Sequence, residues 1–500
     1  MSTTLAIRVT SGGVPIAARV LLVAADGKPL QIGAIDLFGA RQGAAACAFG
    51  PGITGTWNGI VLATGTGDVP VGADACKPSP AIPFGRYHVI AWHGIDHERW
   101  EGDVDLGAGR GRVELAIPLE RAWQAPGWLA SDLHVHALGS NDSNMPLLQR
   151  VAAQAAAGIQ VTALTNHNAT GTLAGAIAEL QVGTVITALP AIELTAEGVH
   201  VNAYPVPLGA DPVAASVVHA SPAQLFAIAH AFTGEPIVQV NHPRFRVTAL
   251  FDDTGWNGVT WPPPFPRGFD AFEVINGFTA FNVEGDRRID DGVRDLYTFT
   301  DHGWLVAAMG NSDTHDYNWV HDGTARTFVR VPDARVEPFD QPAFVAGIRG
   351  RHTLATTGPW LDVAVPARAR APAAGPGDLA IADAGHIAVR ITVSRARFVV
   401  VDRVRVTIGT PAGPSVVRTL GMPASERTHT WELLLPVGAV DTWLGVEADG
   451  DTPLPLDQTG TYQRDKWHHA GDTPAAVISP ILIDADADGR WARPGGEPPP

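Results

Sequence analysis

Lysine is nearly missing from this 500-residue chain, standing only at Lys28, Lys77 and Lys466, so arginine carries almost all of the positive charge. The formal net charge is -16. A surface so balanced repels phosphate backbones, and no stretch interleaves basic with aromatic residues, which argues against nucleic acid as a partner. Cysteine is scarcer still, limited to Cys47 and Cys76. Two thiols in a chain of this length build no disulfide framework. Because the segment 1–12 lacks a basic start followed by an apolar run, they are expected to be free thiols in a cytoplasmic protein. No run approaches the roughly 18 uncharged apolar residues of a membrane span, so no membrane partner is expected.

What is present is ordinary for a globular protein. Hydrophobic residues make up 45% and charged residues 17% of the chain, with Gly and Pro spread out rather than gathered in tracts, so disorder is not the default reading. The length suggests roughly two to four domains. From Leu5 to about Arg121 short alternating runs (Leu5 to Val9, Ala17 to Val23, Arg86 to Trp92, Arg112 to Pro118) are separated by Gly-rich turns, the pattern of a small antiparallel sandwich. After Trp128 strand-like runs alternate with helical ones. A strand from Leu129 to His136 precedes a helix from Ser143 to Ala157, with Ser143 as its cap, and a helix at Pro222 to Phe232 is capped by Ser221. Repeated βα alternation predicts a parallel sheet closed into a barrel. Past Arg351 strands return, at Ile387 to Val393, Phe398 to Ile408, Thr430 to Leu435 and Ala476 to Ile483, beyond a Pro/Ala-rich link from Pro366 to Gly377. The expected fold class is therefore multidomain α/β plus all-β: a β-sandwich at 1–125, a (β/α) barrel at 126–350 and a second β-sandwich at 351–500. The last residues, Arg493 to Pro500, are expected to fray.

The chemistry is concentrated in the barrel segment. His134 and His136 occupy alternate positions of one strand, so both imidazoles leave the same face. Each later strand of the segment also ends at a candidate ligand: Asp142 follows the first, His167 the second and Glu193 the third, while His200 borders the fourth. His242 follows Pro236 to Val240, and Asp313 and His315 follow Trp304 to Gly310. Barrel enzymes gather their sites at the carboxyl ends of strands, so ligands distant in sequence converge on one mouth. Taken singly, each of these residues reads as a loop histidine, a turn or a cap. Taken together, they predict a metal centre.

Ser131-Asp132-Leu133-His134-Val135-His136, Thr165-Asn166-His167-Asn168, Glu193 with His200, Asn241-His242-Pro243 and Ser312-Asp313-Thr314-His315 resemble the motifs of the PHP (polymerase and histidinol phosphatase) superfamily. Phe272-Glu273-Val274-Ile275-Asn276-Gly277 and Gly310-Asn311-Ser312-Asp313 look like its CehA/McbA branch, the carbaryl-hydrolase-like metallohydrolases. The resemblance implies a distorted (β/α)7 barrel, TIM-like, with two or three metal ions. It implies one ion among His134, His136, Glu193 and Asp313, with Glu193 bridging to a second at His200 and His242, and a third at Asp142, His167 and His315. The family's Thr-Asp-His-Asn reads Thr165-Asn166-His167-Asn168 here, which puts a supporting role for position 166 in doubt.

Lysine scarcity bears on a neighbouring class. Many amidohydrolase barrels bridge two metals through a carbamylated lysine, and none exists between Lys77 and Lys466. Glu193 is the available bridge. Mixed N/O ligation without thiolate suits Zn, Mn or Fe. A cation lowers the pKa of a water it holds toward about 7, and a second cation polarises the substrate oxygen, so the expected outcome is hydrolysis of a phosphoester, carboxylic ester or carbamate in a small-molecule substrate. Asp313 is the candidate for orienting the water or taking its proton. Arg244 is a candidate partner for a phosphate or carboxylate, with a salt bridge as its bland alternative, and Glu273 and Asn276 are candidate pocket residues. Asp484, Asp486 and Asp488 match the opening of a calcium loop, although Gly495 stands where the ligating Glu is expected and a polar turn is the alternative. His219, His230, His302 and His321 have no ligand-like spacing. Rival readings are a binding protein with structural metals and a glycan-processing enzyme with carbohydrate-binding sandwiches.

Overall fold

The alternation of apolar side chains along the first 120 residues closes two sheets over one core. In this computed structural model the described residues are 3–28, 30, 47–50, 53–56, 59–72, 81–244, 248–259, 265–277, 288–316, 322–368, 372–455 and 473–492. Cys76, His321 and the segment 493–500 fall outside them, and Cys47 is described in its backbone alone. In the N-terminal sandwich Leu5 and Ile117 of one sheet meet Val20, Leu62 and Val89 of the other. Its strands Thr3–Ser11 and Arg112–Leu119 run parallel, so the sandwich is not wholly antiparallel.

The central strands are β1 (Trp128–Val135), β2 (Val161–Leu164), β3 (Thr187–Pro190), β4 (Ile192–Ala196), β5 (Val199–Tyr204), β6 (Ile237–Val240), β7 (Ala271–Asn276) and β8 (Ala307–Asn311). β1, β2 and β3 pair in parallel, and so do β6, β7 and β8. The expected all-parallel series fails at β5, which is antiparallel to both neighbours. The reason is local. Ala196 pairs with Val199 across a two-residue turn whose Gly198 has φ +80°, a hairpin geometry that leaves no room for a crossover helix.

β3 and β4 follow one another through Ala191 as a single bent segment. Past β8 the chain bonds to β1: Asp313 N–H donates to the His134 carbonyl at 2.9 Å and His136 N–H to the Thr314 carbonyl at 3.0 Å. Pairing thus runs β1, β2, β3 with β4, β5, β6, β7, β8 and back to β1, seven positions when the bent segment counts once. Strand outweighs helix among the described residues, 41% against 13%, and a helix-rich barrel with a helix after every strand is not evident there. Inside the ring, Leu129, Val161, Ile237, Ala271 and Ala307 form an apolar plug near the strand starts. Side-chain alternation then carries the same inward face from Ala271 to Glu273, from Ala307 to Asp313 and from Ala191 to Glu193, so the polar residues stack above that plug.

Two caps were expected. Ser221 and Gln224 form a reciprocal capping box on helix Pro222–His230, as expected. Ser143 does not cap: helix α1 (Leu147–Ala156) begins after Pro146 without a side-chain cap, and the Ser143 hydroxyl instead donates to the His315 carbonyl at 2.6 Å. That bond pins the loop of Asp142 to the loop of His315.

The C-terminal part shares a sheet with the ring. Strand β9 (Arg326–Arg330) pairs antiparallel with β1 and with β10 (Thr353–Thr356), and β10 pairs with Ala475–Ile478. The resulting 11-stranded sheet continues to Ser415–Gly421. The expected boundary near residue 350 therefore lies inside continuous backbone pairing, and a three-stranded sheet (Trp360–Ala364, His386–Ser394, Thr428–Pro436) packs over it through Leu361, Ile391, Val406 and Val446. The single strand expected at Ala476 to Ile483 is two, Ala475–Ile478 and Ile481–Asp484, divided at Pro480, which has no N–H to donate. No described helix is long and apolar enough to cross a membrane.

Candidate metal centre

A register shift between Asp132 and Val135 breaks the simple alternation of β1. Asp132 turns to Ser312 and to Gln154 of α1, whereas His134 and His136 turn to the opposite side. There, His134 Nε2 lies 3.2 Å and His136 Nε2 lies 3.3 Å from the same Asp313 Oδ1. Glu193 faces the pair from across the ring, its Oε1 3.2 Å from His134 Nε2 and its Oε2 3.4 Å from His136 Nε2. Glu193 Oε1 is also 3.1 Å from His200 Nδ1 and 3.9 Å from His242 Nε2. On the outer side, Asp142 Oδ2 touches His167 Nε2 at 2.8 Å and His315 Nε2 at 2.9 Å. Every ligand expected from the sequence is therefore in one cluster.

The atoms fall into overlapping groups: His134, His136 and Glu193; His134, His242 and Asp313; His167, Glu193 and His200; and His136, Asp142, His167 and His315. Within each group the candidate ligand atoms lie within 4.8 Å of one another. Whether such groups fit a cation is decided by their unmet needs. His134 Nε2, His136 Nε2 and Glu193 Oε2 are buried and make no well-aligned hydrogen bond among the described residues, although Glu193 Oε2 lies 2.9 Å from His167 Nδ1. Buried polar atoms are rarely left so, because each costs on the order of 1–3 kcal/mol. Donor atoms about 2.1 Å from one tetrahedral ion stand roughly 3.4 Å apart, close to the 3.2–3.4 Å separations around His134 and His136. The residues fit a metal ion.

Electrostatics point the same way. Burial pushes the Glu193 carboxyl up, but His167, His134 and His200 hold it well below its ordinary range. The same holds for Asp313, lowered chiefly by His134 and His136 against the effect of burial. Burial lowers the His136 imidazole to about 4 and the His242 imidazole to about 3, with His315 and His200 respectively adding repulsion. Burial would lower His134 too, but Asp313, Glu273 and Glu193 raise it well above the usual value. His167 rises to about 10 because Glu193 and Asp142 outweigh its burial. Without a cation, protons on some imidazoles balance the carboxylates. Cation binding would displace those protons.

A layer beneath the ligands orients them. Glu273 Oε1 accepts from His134 Nδ1 at 2.8 Å and from Asn311 Nδ2 at 3.0 Å, and its Oε2 accepts from the His242 and Asn276 nitrogens, each at 2.7 Å. The bond at Nδ1 leaves the His134 Nε2 lone pair aimed inward. Asn241 Nδ2 donates to Glu193 Oε1 at 2.7 Å. Arg150, buried in the middle of α1, donates to the His136 carbonyl at 2.9 Å and to Thr314 Oγ1 at 3.0 Å, locking the two ligand-bearing loops together. Asp313 and His242 have positive φ, +55° and +28°, the kind of backbone strain that clusters at working sites. Sequence reasoning missed Arg150, Gln239 and Asn241 as supports. The available signal was a guanidinium inside an otherwise uncharged helix, and polar residues at inward strand positions.

The remaining candidates sit elsewhere. Arg244 is committed to Asp295 by Nε at 2.8 Å and by a terminal nitrogen at 2.7 Å, and its other terminal nitrogen bonds Asp252 and the Trp256 carbonyl at 3.1 Å. Asn166 serves the backbone, accepting from Ala137 N–H at 3.1 Å. The Asp484, Asp486 and Asp488 carboxylates accept main-chain N–H groups of their own loop, from Ala487, Gly489, Asp488 and Arg490, as in a polar turn. A further group, His93, Asp96 and His97, lies at the junction with the N-terminal sandwich. Its ring nitrogens already meet the Ala17 carbonyl, Asp96 and Ser11. No protein-family model, curated protein or solved structure matches the chain.

Proposed function

We propose that the chain is a metal-dependent hydrolase of small molecules, similar to the CehA/McbA branch of the PHP superfamily, with two or three divalent Zn, Mn or Fe ions in a distorted (β/α)7-type barrel. The bond cleaved is of ester type: a phosphoester, carboxylic ester or carbamate. The observation that carries this reading is the convergence of two buried imidazole nitrogens without an aligned hydrogen bond, His134 Nε2 and His136 Nε2, between Asp313 on one side and Glu193 on the other. His134, His136, Glu193 and Asp313 would hold one ion, Glu193 with His200 and His242 a second, and Asp142, His167 and His315 a third. When bound, such ions acidify water and polarise a substrate oxygen.

The chain's own residues supply the rest. The side chains of His134, His136 and Glu193 are fully buried, while those of Asp142 (24% exposed) and His200 (15% exposed) line the open side. Substrate therefore approaches over Asp142, His167, His200 and His315. Asp313 offers Oδ1 to both imidazoles and Oδ2 toward Asn276 at 3.4 Å, so it is the group positioned to take a proton at the deep end. Glu273 and Asn241 fix His134 and Glu193 against rotation. Arg244, saturated by two carboxylates, takes no part.

Metal analysis of protein prepared without chelators should find at least two transition ions per chain, and His134→Ala should lower both content and activity. Parallel assays on p-nitrophenyl phosphate, bis-p-nitrophenyl phosphate, an aryl acetate and an aryl carbamate identify the bond. Turnover of none of them by metal-replete protein would refute the hydrolase reading.

A further inference from the structure

A cleft of about 590 Å³ lies between the N-terminal sandwich and the barrel. Trp128 at the start of β1, Gln160 just before β2 and Val185 just before β3 line it, so it opens at the strand starts, away from the candidate metal centre at the strand ends. Its walls mix polar and apolar groups, and one part is aromatic: Trp123 packs against Phe328 with ring centroids 5.7 Å apart, and both line the space.

One charge in this cleft lacks compensation. Arg326 is 2% exposed and lines the cavity, and its Nε donates to the Gly323 carbonyl at 2.7 Å. Among the described residues no carboxylate pairs with it, and its terminal nitrogens make no hydrogen bond. The nearest candidate, Asp96, is already divided between Arg121 at 3.0 Å and His97 at 2.8 Å. Burial lowers the Arg326 guanidinium to about 10 despite the pull of Asp96 and Asp132, so it remains a cation at neutral pH. Buried charges are ordinarily paired, and leaving one unpaired is strongly unfavourable. A guanidinium whose terminal nitrogens have no acceptor among the described residues calls for an anionic one. The aromatic walls call for an apolar remainder.

We propose that this cleft binds a small carboxylate with an apolar body, the carboxylate on Arg326 and the body against Trp123 and Phe328. Titration calorimetry of the full chain with benzoate, benzamide and acetate tests it. Benzoate should bind saturably and at least ~10-fold more tightly than either control, since a charge-assisted bond to the guanidinium and the buried ring each contribute about one decade. Arg326→Met should abolish that binding without lowering the unfolding temperature of the unliganded protein, because it removes an unpaired buried charge. His134→Ala, which damages the candidate metal centre, should leave it intact. Should Arg326→Met fail to fold, Val185→Trp decides the matter: that residue is 48% exposed at the rim, and the larger ring should block benzoate. Absence of saturable binding, equal affinity for benzamide, persistence in folded Arg326→Met or in Val185→Trp, or loss in His134→Ala would each overturn the proposal.

Discussion

Replacing Glu273 with Gln removes one charge and almost no volume, yet it should cripple the candidate metal centre. Both carboxylate oxygens accept: Oε1 from His134 Nδ1, Asn311 Nδ2 and, at 3.4 Å, Gln239 Nε2, and Oε2 from His242 N–H and Asn276 Nδ2. An amide has only one accepting end. If its nitrogen faces His242, it opposes a main-chain N–H that cannot turn away. If it faces His134, the imidazole must accept at Nδ1 and carry its proton on Nε2, the atom aimed at the cation. Asn311 cannot compensate by flipping, because its Oδ1 already accepts from Leu133 N–H at 2.8 Å. Losing two bonds to a charged acceptor, with partial relaxation, costs on the order of 3 kcal/mol of folding stability. Disturbing a residue that orients a metal-binding histidine typically costs ~10- to 100-fold in affinity. Urea unfolding reports the first quantity and chelator competition at fixed pH the second. A Glu273→Gln protein with the wild-type midpoint and wild-type metal retention would refute the reasoning.

Arg244→Ala leaves Asp295 buried without its bidentate partner and should destabilise by roughly 3–5 kcal/mol; if unfolding is unchanged while KM rises, the residue meets substrate instead. Gly445→Ala would drive a methyl to 2.4 Å from the Tyr297 ring at the contact between helix Arg288–Asp301 and the C-terminal sheet, an overpacking of about 1–3 kcal/mol visible as a lower urea midpoint. Burial lowers the His93 imidazole from 6.5 to about 4, so the stability it contributes is complete above about pH 6.5 and is lost as pH falls toward 4. That loss is on the order of 2–3 kcal/mol, and a His93→Gln protein should show a flatter decline across this window; an identical slope would show that His93 does not titrate as its burial implies.

Much of the candidate site could be read from the chain because ligand chemistry is local. Strand ends followed by His, Asp or Glu mark positions whose side chains must share one mouth if the strands close, and all nine such residues lie together. The turn at Glu197-Gly198 is equally visible, but its consequence, an antiparallel β5, is hidden by the βα alternation on either side of it. Ser143 illustrates the other kind of failure: a hydroxyl before a helix reads as a cap, and only the approach of the His315 loop gives it a better acceptor.

The sequence alone determined which chemistry was available: imidazoles and carboxylates without thiolate, and no lysine to bridge. Tertiary structure alone decided what each polar residue does with its hydrogen bonds. Arg244 looked free to meet a substrate and is spent on Asp295, whereas Arg326 looked unremarkable and has no counterion among the described residues. Pairing of charges depends on distances between residues hundreds of positions apart, and no local pattern encodes those distances. The sheet that crosses residue 350 is of the same kind, since a strand edge accepts whichever partner the fold brings to it.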